Sequence, residues 1–431
     1  MKVAIIGGGF TGLTAALRLA KEGHTVTVFE KEAILGGLAH GFRQKGWAWH
    51  LEYAYHHWFT NDRAILALAR ELGLDNKLMT LRPTTATLWR SRVYPLDSPK
   101  SLLLFPGLPL IDRLRTGALL AALKLNPFWR PLEAFLAKDF FRLIGGGKAW
   151  KTIWEPLMVG KFSAYADHVQ AAWLWARVKK RTPSLGYFQG GFHVLVLALE
   201  KAIQAHNGTI FTNAAITSVR KEGSRMRIIP DTTFRLPAAK QRFDRVLLTV
   251  PTPIAASLAP QIPKSYFHAL LTIPHLHAQT LILETDAPIL KDVYWLNITD
   301  RKFPFLAAVA HTNFVDTKHY GGHHLTYFGN YLPSGHPYLS MNKADLLKAF
   351  LPFIRRLSGN KQIQIHNTFS FVGPFAQPVH ERFYSKKIPS IATPIPGLFL
   401  ANMDFVVPWD RGTNYAVELG SNAAATLTSE A

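Results

Sequence analysis

Three glycines near the N-terminus constrain this chain more than any other feature. The segment Lys2–Glu30 reads "KVAIIGGGFTGLTAALRLAKEGHTVTVFE". Lys2 to Ile6 is a short apolar run, the pattern of a strand buried on both faces of a parallel sheet. Gly7, Gly9 and Gly12 follow as G-x-G-x-x-G. Thr11 to Glu22 has helical apolar spacing that Gly23 ends, and His24 to Glu30 reads as a second strand. Each part has a task. Gly7 permits the tight turn, Gly9 lets the backbone approach a pyrophosphate, and Gly12 lets helix and strand pack closely. The helix start offers unpaired N–H groups and a partial positive charge to phosphates. Glu30, eighteen residues after Gly12, suits an adenosine ribose. An acid there disfavours a 2′-phosphate, although Lys31 blurs that preference. A lone glycine motif is a weak signal, but strand, helix, second strand and acid in order identify a dinucleotide-binding unit.

Two further stretches favour a flavin dinucleotide over NAD. Six residues after Glu30, "GGLAHGF" brings a second glycine pair, Gly36 and Gly37. A pair at this place resembles the glutathione-reductase-type FAD fold, in which the backbone approaches the cofactor a second time. Near the C-terminus, "PGLFLANMDFVVPWDRGTNYAVELGSNAAATL" reads as strand, loop and a helix from about Asn414. In that fold the last helix aims its N-terminus at the flavin pyrimidine, where its dipole stabilises negative charge.

These stretches, with "GYFQGGFHVLVLALEKAIQAHNGTIFTNAAITSV" and "FDRVLLTVPTP", resemble the FAD-dependent amine oxidase and protoporphyrinogen oxidase superfamily. That group includes phytoene desaturases and, more distantly, UDP-galactopyranose mutase. The resemblance spans essentially the whole chain. It implies that Gly7, Gly9, Phe10, Thr11 and Gly12 form the pyrophosphate loop, and that Glu30 and Lys31 meet the ribose. It implies that Gly36, Gly37, Leu38 and Ala39 make the second approach, that Ile216 meets the adenine, and that Gly412, Thr413 and Asn414 form the turn beside the flavin ring. One position departs from the pattern. The usual Leu-Ala-Gly-Asp is Leu400-Ala401-Asn402-Met403 here, so Met403 replaces an aspartate of the ribityl-phosphate region. Weaker FAD binding, or donation by Asn402 instead, is the expected consequence.

With 431 residues the chain exceeds one ordinary core. The expected fold class is α/β: a discontinuous Rossmann-like FAD-binding domain from residues 1–76, 186–255 and 390–431, with an α+β substrate domain. The latter comprises a largely helical part, 77–185, and a mixed-sheet part, 256–389. Absence of cysteine excludes disulfides, thiolate metal sites and cysteine nucleophiles. The N-terminal apolar run is too short for a secretory signal, and no window has the ~20 apolar residues of a spanning helix. A cytoplasmic protein is expected.

The net charge is +21, and Lys77–Arg181 holds 18 Lys/Arg against 6 Asp/Glu, so it supplies 12 of those charges. Such a patch attracts anions. Without a recognised nucleic-acid module, the expected partners are a small-molecule substrate and, peripherally, an anionic membrane, reached by the basic helices and interleaved tryptophans of 100–181.

Several motifs yield to plainer readings. "IGGGKAW" lacks the Ser or Thr of a phosphate loop and reads as a turn between helices. Ser340 in "SMNK" precedes a helix and reads as its N-cap. No second glycine motif serves NAD(P)H. Arg411 precedes the last helix beside Trp409, so it either holds an anionic substrate or pairs with Asp410.

"WHLEYAYHHWFTN", Trp49 to Asn61, follows the second glycine pair and should run from the flavin into the substrate cavity. His50, Tyr55, His56 and His57 are therefore pocket-wall candidates, with aromatic core packing as the alternative. His56 and His57 suit proton transfer if they titrate near neutrality. On a straight strand His50 and His56 stand about 20 Å apart, too far to share a metal; no metal site is expected. The expected function is an FAD-dependent oxidoreductase that accepts hydride from an organic substrate. A non-redox sugar-nucleotide mutase-like isomerase, or a flavin-binding protein without catalysis, is the alternative.

Overall fold

Val3, Ala4 and Ile5 are wholly buried and Ile6 nearly so, which leaves the Lys2–Ile6 strand no face for solvent. Such a strand belongs in the middle of a sheet. In the computed structural model, which describes residues 1–237, 241–360 and 362–429, it is the central strand of a five-stranded sheet. The order is Thr209–Phe211, Thr25–Phe29, Lys2–Ile6, Arg245–Leu248, Leu398–Leu400, and every pairing is parallel. The strands come from chain pieces hundreds of residues apart, so the sheet ties both ends of the chain together.

The helix Phe10–Lys21 leaves the central strand through the glycine turn. It buries Leu13, Leu17 and Ala20 against the sheet side and packs on two other helices, His193–Ala205 and the C-terminal Thr413–Ser429. A small residue sets the second contact: a Cβ at Gly420 would lie 2.4 Å from the Thr11 carbonyl oxygen.

A second, seven-stranded sheet runs Ile365–Pro378, His275–Thr285, His324–Leu332, Ala307–Ala310, Trp295–Ile298, Thr85–Trp89, Arg92–Pro95. It is antiparallel except where Trp295–Ile298 meets Thr85–Trp89. Residues 77–185 are thus less uniformly helical than expected: they contribute the last two strands of this order and Leu78–Leu81 before the helices Leu110–Leu125, Ala137–Gly145, Glu155–Phe162 and Ala171–Lys180 begin. "IGGGKAW" is a turn between two helices, with Gly146 at φ 103°. The cap of the Lys343–Ser358 helix is Asn342, not Ser340; its Oδ1 accepts from Ala344 and Asp345 N–H groups at 3.0 Å.

The segment Trp49–Asn61 is not one straight strand. Only Leu51–Glu52 and Trp58–Phe59 are extended pairs, and the chain bends between them. Glu52 fixes the bend. Its buried carboxylate accepts from the Tyr187 hydroxyl at 2.6 Å and the Phe192 N–H at 2.7 Å, and Tyr327 donates to its carbonyl at 2.7 Å. Burial pushes this acid up to about 7, against those hydrogen bonds. Gly191, at φ 82°, has no room for a side chain: a Cβ would sit 2.7 Å from the His50 carbonyl oxygen.

Candidate flavin site and the adjoining cationic hollow

The glycine loop is built around close backbone contacts. Gly7 turns at φ 117°, and a Cβ at Gly12 would stand 2.0 Å from the Gly7 carbonyl oxygen, so only glycine lets the helix start there. At Gly9 a Cβ would meet nothing nearer than the Gly37 Cα at 3.8 Å. That open side is where the first N–H groups of the Phe10–Lys21 helix have no helical acceptor. Glu30 braces the loop from below, accepting from the Gly8 N–H at 2.7 Å and the Glu32 N–H at 2.9 Å. The second glycine pair is bonded to the first: Gly36 N–H donates to the Gly8 carbonyl at 2.9 Å, and Gly9 and Gly36 form a parallel bridge. Leu38 and Ala39 continue as a short 3-10 turn. Ile216 opens a strand two residues after Ala214, whose N–H donates to the Glu30 carbonyl at 2.8 Å. Lys31 points outward and pairs with Glu32 at 3.2 Å. Phe10 is buried in the core, so it supports the loop from within.

The C-terminal helix reaches the same place. Thr413 and Asn414 are buried at its start, and Asn414 Oδ1 accepts from the Ile65 N–H at 3.1 Å. Asn402 is turned inward, donating to the Val250 carbonyl at 3.0 Å and to Thr252 at 3.1 Å. Asp404 is equally occupied, accepting from Thr252 and contacting His275 Nε2 at 2.6 Å. Met403, between them, begins a 3-10 turn and is half-buried.

Beside this end Tyr55, His56, His57, Trp409 and Arg411 are only half-buried although protein surrounds them, which marks a hollow with aromatic walls. Tyr55 packs against the large sheet where a Cβ at Gly329 would strike its ring at 2.8 Å, and it meets Trp295 edge-on at 4.7 Å. His56 Nδ1 lies 2.7 Å from the Ala54 carbonyl, so that nitrogen carries the proton and Nε2 is an acceptor. His57 Nδ1 bonds the Tyr294 hydroxyl at 3.2 Å. Trp409 stacks between Trp175 and Tyr415, at 5.3 and 5.8 Å. His50 stands apart, stacked on His193 at 3.9 Å.

A glycine cradle open at Gly9, a carboxylate beneath it and a helix start across from it match the donor set of a dinucleotide carrying a pyrophosphate. The sequence model of flavin-containing amine oxidoreductases matches residues 10–428. The chain belongs to this family. Its cofactor is FAD, and it is an FAD-dependent oxidoreductase. The fold is shared with a proposed protoporphyrinogen oxidase from Exiguobacterium sp. 255-15, at TM-score 0.78 and 18% identity over 100% of this chain and 99% of that one. It is shared with reduced UDP-galactopyranose mutase (0.75, 14%, 100% and 96%) and with putrescine oxidase bound to putrescine (0.71, 16%, 99% of each). A stretch of 46 residues is 50% identical to 4,4'-diapophytoene desaturase of Staphylococcus aureus strain bovine RF122 / ET3-1; it covers 11% of this chain and only 9% of that enzyme.

In this chain the electrostatics of the hollow differ from the sequence expectation. Burial pulls His56 down to about 4; for His57, burial and then the nearby Arg181 pull it down to about 3. Both are neutral at pH 7 and do not titrate near neutrality, because protein surrounds them and the neighbouring charges are positive. Asn402 does not stand in for the missing aspartate with its side chain, which is committed to the protein interior. The pairing of Arg411 with Asp410 is not made: Asp410 is taken by Arg177 at 2.7 Å and Lys161 at 3.4 Å. Lys161 is a residue that sequence reasoning misses. Burial brings it down to about 7, with Asp410 opposing, so it changes charge near neutrality, as Glu52 in the bend also does. A lone lysine between Gly160 and Phe162 in an apolar helix is its only signal. Among the described residues, no helix is long and apolar enough to cross a membrane.

Proposed function

We propose that Gly7–Gly12, Glu30, Gly36–Ala39, Ile216, Met403 and Gly412–Asn414 hold the FAD, and that Tyr55, His56, His57, Trp409 and Arg411 wall the substrate hollow. The corresponding domain assignment is a cofactor unit from residues 1–76, 186–255 and 390–431 and a substrate unit from the rest. The convergence of three remote segments on one helix start carries this reading: Gly36 bonds Gly8, and Gly420 lies against Thr11. When bound, FAD accepts hydride from the substrate. The chain's own part is positioning and charge. The helix start at Thr413 supplies unpaired N–H groups and a positive dipole end. The aromatic walls exclude water and stack against a flat substrate. Neutral His56, with Nε2 free to accept, orients a substrate hydrogen-bond donor.

FAD binding tests the reading directly. Protein refolded with FAD should retain it through gel filtration and bleach anaerobically with substrate; a chain that retains none sinks the proposal. Stoichiometric consumption of an electron acceptor would exclude an isomerase.

A peripheral membrane contact is part of the proposal. Ten of the eighteen exposed large apolar residues of the described chain lie between Leu103 and Ile144, among them Leu104, Leu125, Phe128 and Leu143 at 68–80% exposure. Arg113, Lys124, Arg130 and Arg142 are interleaved with them. Exposed apolar side chains with basic neighbours suit an anionic lipid surface. Flotation with phosphatidylglycerol vesicles, lost in high salt and in Leu125→Asp/Phe128→Asp, is the expected result.

A further inference from the structure

Two adjacent charges in the hollow are treated very differently. The carboxylate of Asp410 is saturated. Its Oδ2 meets Arg177 at 2.7 Å and Lys161 at 3.4 Å, while its Oδ1 accepts from Trp173 Nε1 at 3.1 Å and Gln377 Nε2 at 3.2 Å. Burial raises this acid, but Lys161 and Arg177 outweigh it and hold the acid far below the usual range. Arg411, the next residue, meets no carboxylate among the described residues. Its Nε donates to the Gln377 amide oxygen at 3.0 Å, and its guanidinium lies 4.9 Å from the Tyr331 ring centre. Gln377 therefore bridges the two residues, giving its amide oxygen to Arg411 and its nitrogen to Asp410. That fixes the arginine fork in place while leaving both terminal nitrogens without a protein acceptor among the described residues.

A guanidinium held inside a protein without an anion is costly. Its surroundings make the imbalance worse. Lys180 covers the Trp409 and Tyr415 rings at 5.0 and 5.5 Å, and pairs with Asp62 at 3.5 Å. Lys161, Arg177, Lys180, Arg181 and Arg411 are thus set against Asp410 and Asp62, with Asp97 acting on Arg181 and the exposed Glu418 on Asp62, so the basic groups still outnumber the acids. A protonated amine entering this hollow meets like charge. An anion meets a preformed fork whose two free nitrogens match the spacing of a carboxylate or phosphate.

We propose that the substrate of this oxidoreductase carries an acidic group, a carboxylate or phosphate, seated on Arg411 with its aromatic or conjugated body against the tryptophan and tyrosine walls. The inference rests on the FAD reading above and adds the substrate class. It also separates this chain from those of its family that take cationic amines, because the discrimination comes from the sign of the hollow and not from the shared fold.

Four probes with one aromatic body test it: 2-naphthoate, 2-naphthyl phosphate, 2-naphthalenemethanol and 2-naphthylmethylamine. FAD content is measured first by absorbance, so a failure of the cofactor reading is seen before any probe is added. Binding to FAD-loaded protein is then followed by calorimetry and by perturbation of the flavin spectrum. Expected are at least tenfold tighter binding of an anionic probe than of the alcohol or amine, and at least a tenfold loss of that preference in Arg411→Met with FAD content and melting temperature kept. Arg411→Lys should restore part of it. The carboxylate and phosphate arms show which acidic group is preferred. Equal or tighter binding of the amine, no preference of either anion over the alcohol, or an unchanged preference in Arg411→Met would overturn the proposal. Loss of FAD from a folded Arg411→Met would also overturn it, by assigning the arginine to the cofactor.

Discussion

Gly9 and Gly12 look alike in the motif, but a methyl group would do different things at each. At Gly12 it would collide with the Gly7 carbonyl at 2.0 Å, inside the protein. At Gly9, which has an ordinary extended backbone (φ −76°), it would project into open space. Gly12→Ala should therefore lower the melting temperature of the apoprotein, whereas Gly9→Ala should melt normally and bind FAD at least tenfold more weakly. Equal effects on folding would remove the distinction between packing glycine and ligand-facing glycine. Both roles are legible in sequence because they follow from backbone geometry alone. The state of the histidines is not, since it depends on what tertiary structure surrounds them. His56→Ala should lower kcat about tenfold or more, a typical general acid–base or orienting effect, with FAD bound. Because burial and the adjoining cations hold His56 near 4, the fall should persist unchanged from pH 6.5 to 8. A kinetic pKa in that range that survives in His56→Ala but moves in Lys161→Met would locate the titrating group on the lysine.

At the scale of elements, the cofactor site depends on the distance between two helices that sit at opposite ends of the chain. Gly420 sets it, with the Thr11 carbonyl 2.4 Å and the Thr14 Cβ 2.9 Å from any added methyl. Gly420→Ala should force the C-terminal helix off the Phe10–Lys21 helix. Overpacking of this kind costs about 1–3 kcal/mol, and it should also weaken FAD binding, because the Gly412–Asn414 turn moves with the helix. Thermal melts with and without FAD separate the two effects; a variant as stable and as tightly loaded as the parent would refute the geometry. The helix itself is legible in its apolar spacing, which places its start within a residue of Thr413. The bend in Trp49–Asn61 is not legible, because alternation of aromatic and polar residues also fits a straight strand. What decides it is Glu52, a buried carboxylate clasped by Tyr187 and Phe192, 135 and 140 positions away. Long-range clasps leave no local pattern.

For the whole molecule, the buried ionisable groups set the response to acid. Burial depresses ten histidines, five of them furthest: His50, His56 and His380 to about 4, and His57 and His311 to about 3. An unfolded chain takes up a proton at each near pH 6.5, while the folded chain stays neutral there. The unfolded state therefore binds more protons as the pH falls, and stability is lost from pH 6.5 down to about 4. Glu52 works the other way. Its folded pKa is raised to about 7, so its contribution improves as pH falls from 7 to the ordinary carboxylate range. Each fully buried group changes stability by up to about 1.4 kcal/mol per pH unit, so Glu52 cancels roughly one of those five and four remain. Wall residues that keep contact with solvent contribute less than this limit, so the fully enclosed His311 and His380 dominate the acid response. The melting temperature should fall steadily between pH 6.5 and 5, and His311→Phe should flatten that slope where a variant of an exposed residue such as His206→Gln should not. A melting temperature constant across that interval would mean that these rings are already protonated in the native state, and with it the neutral hydrogen-bonding role given to His56 would fail.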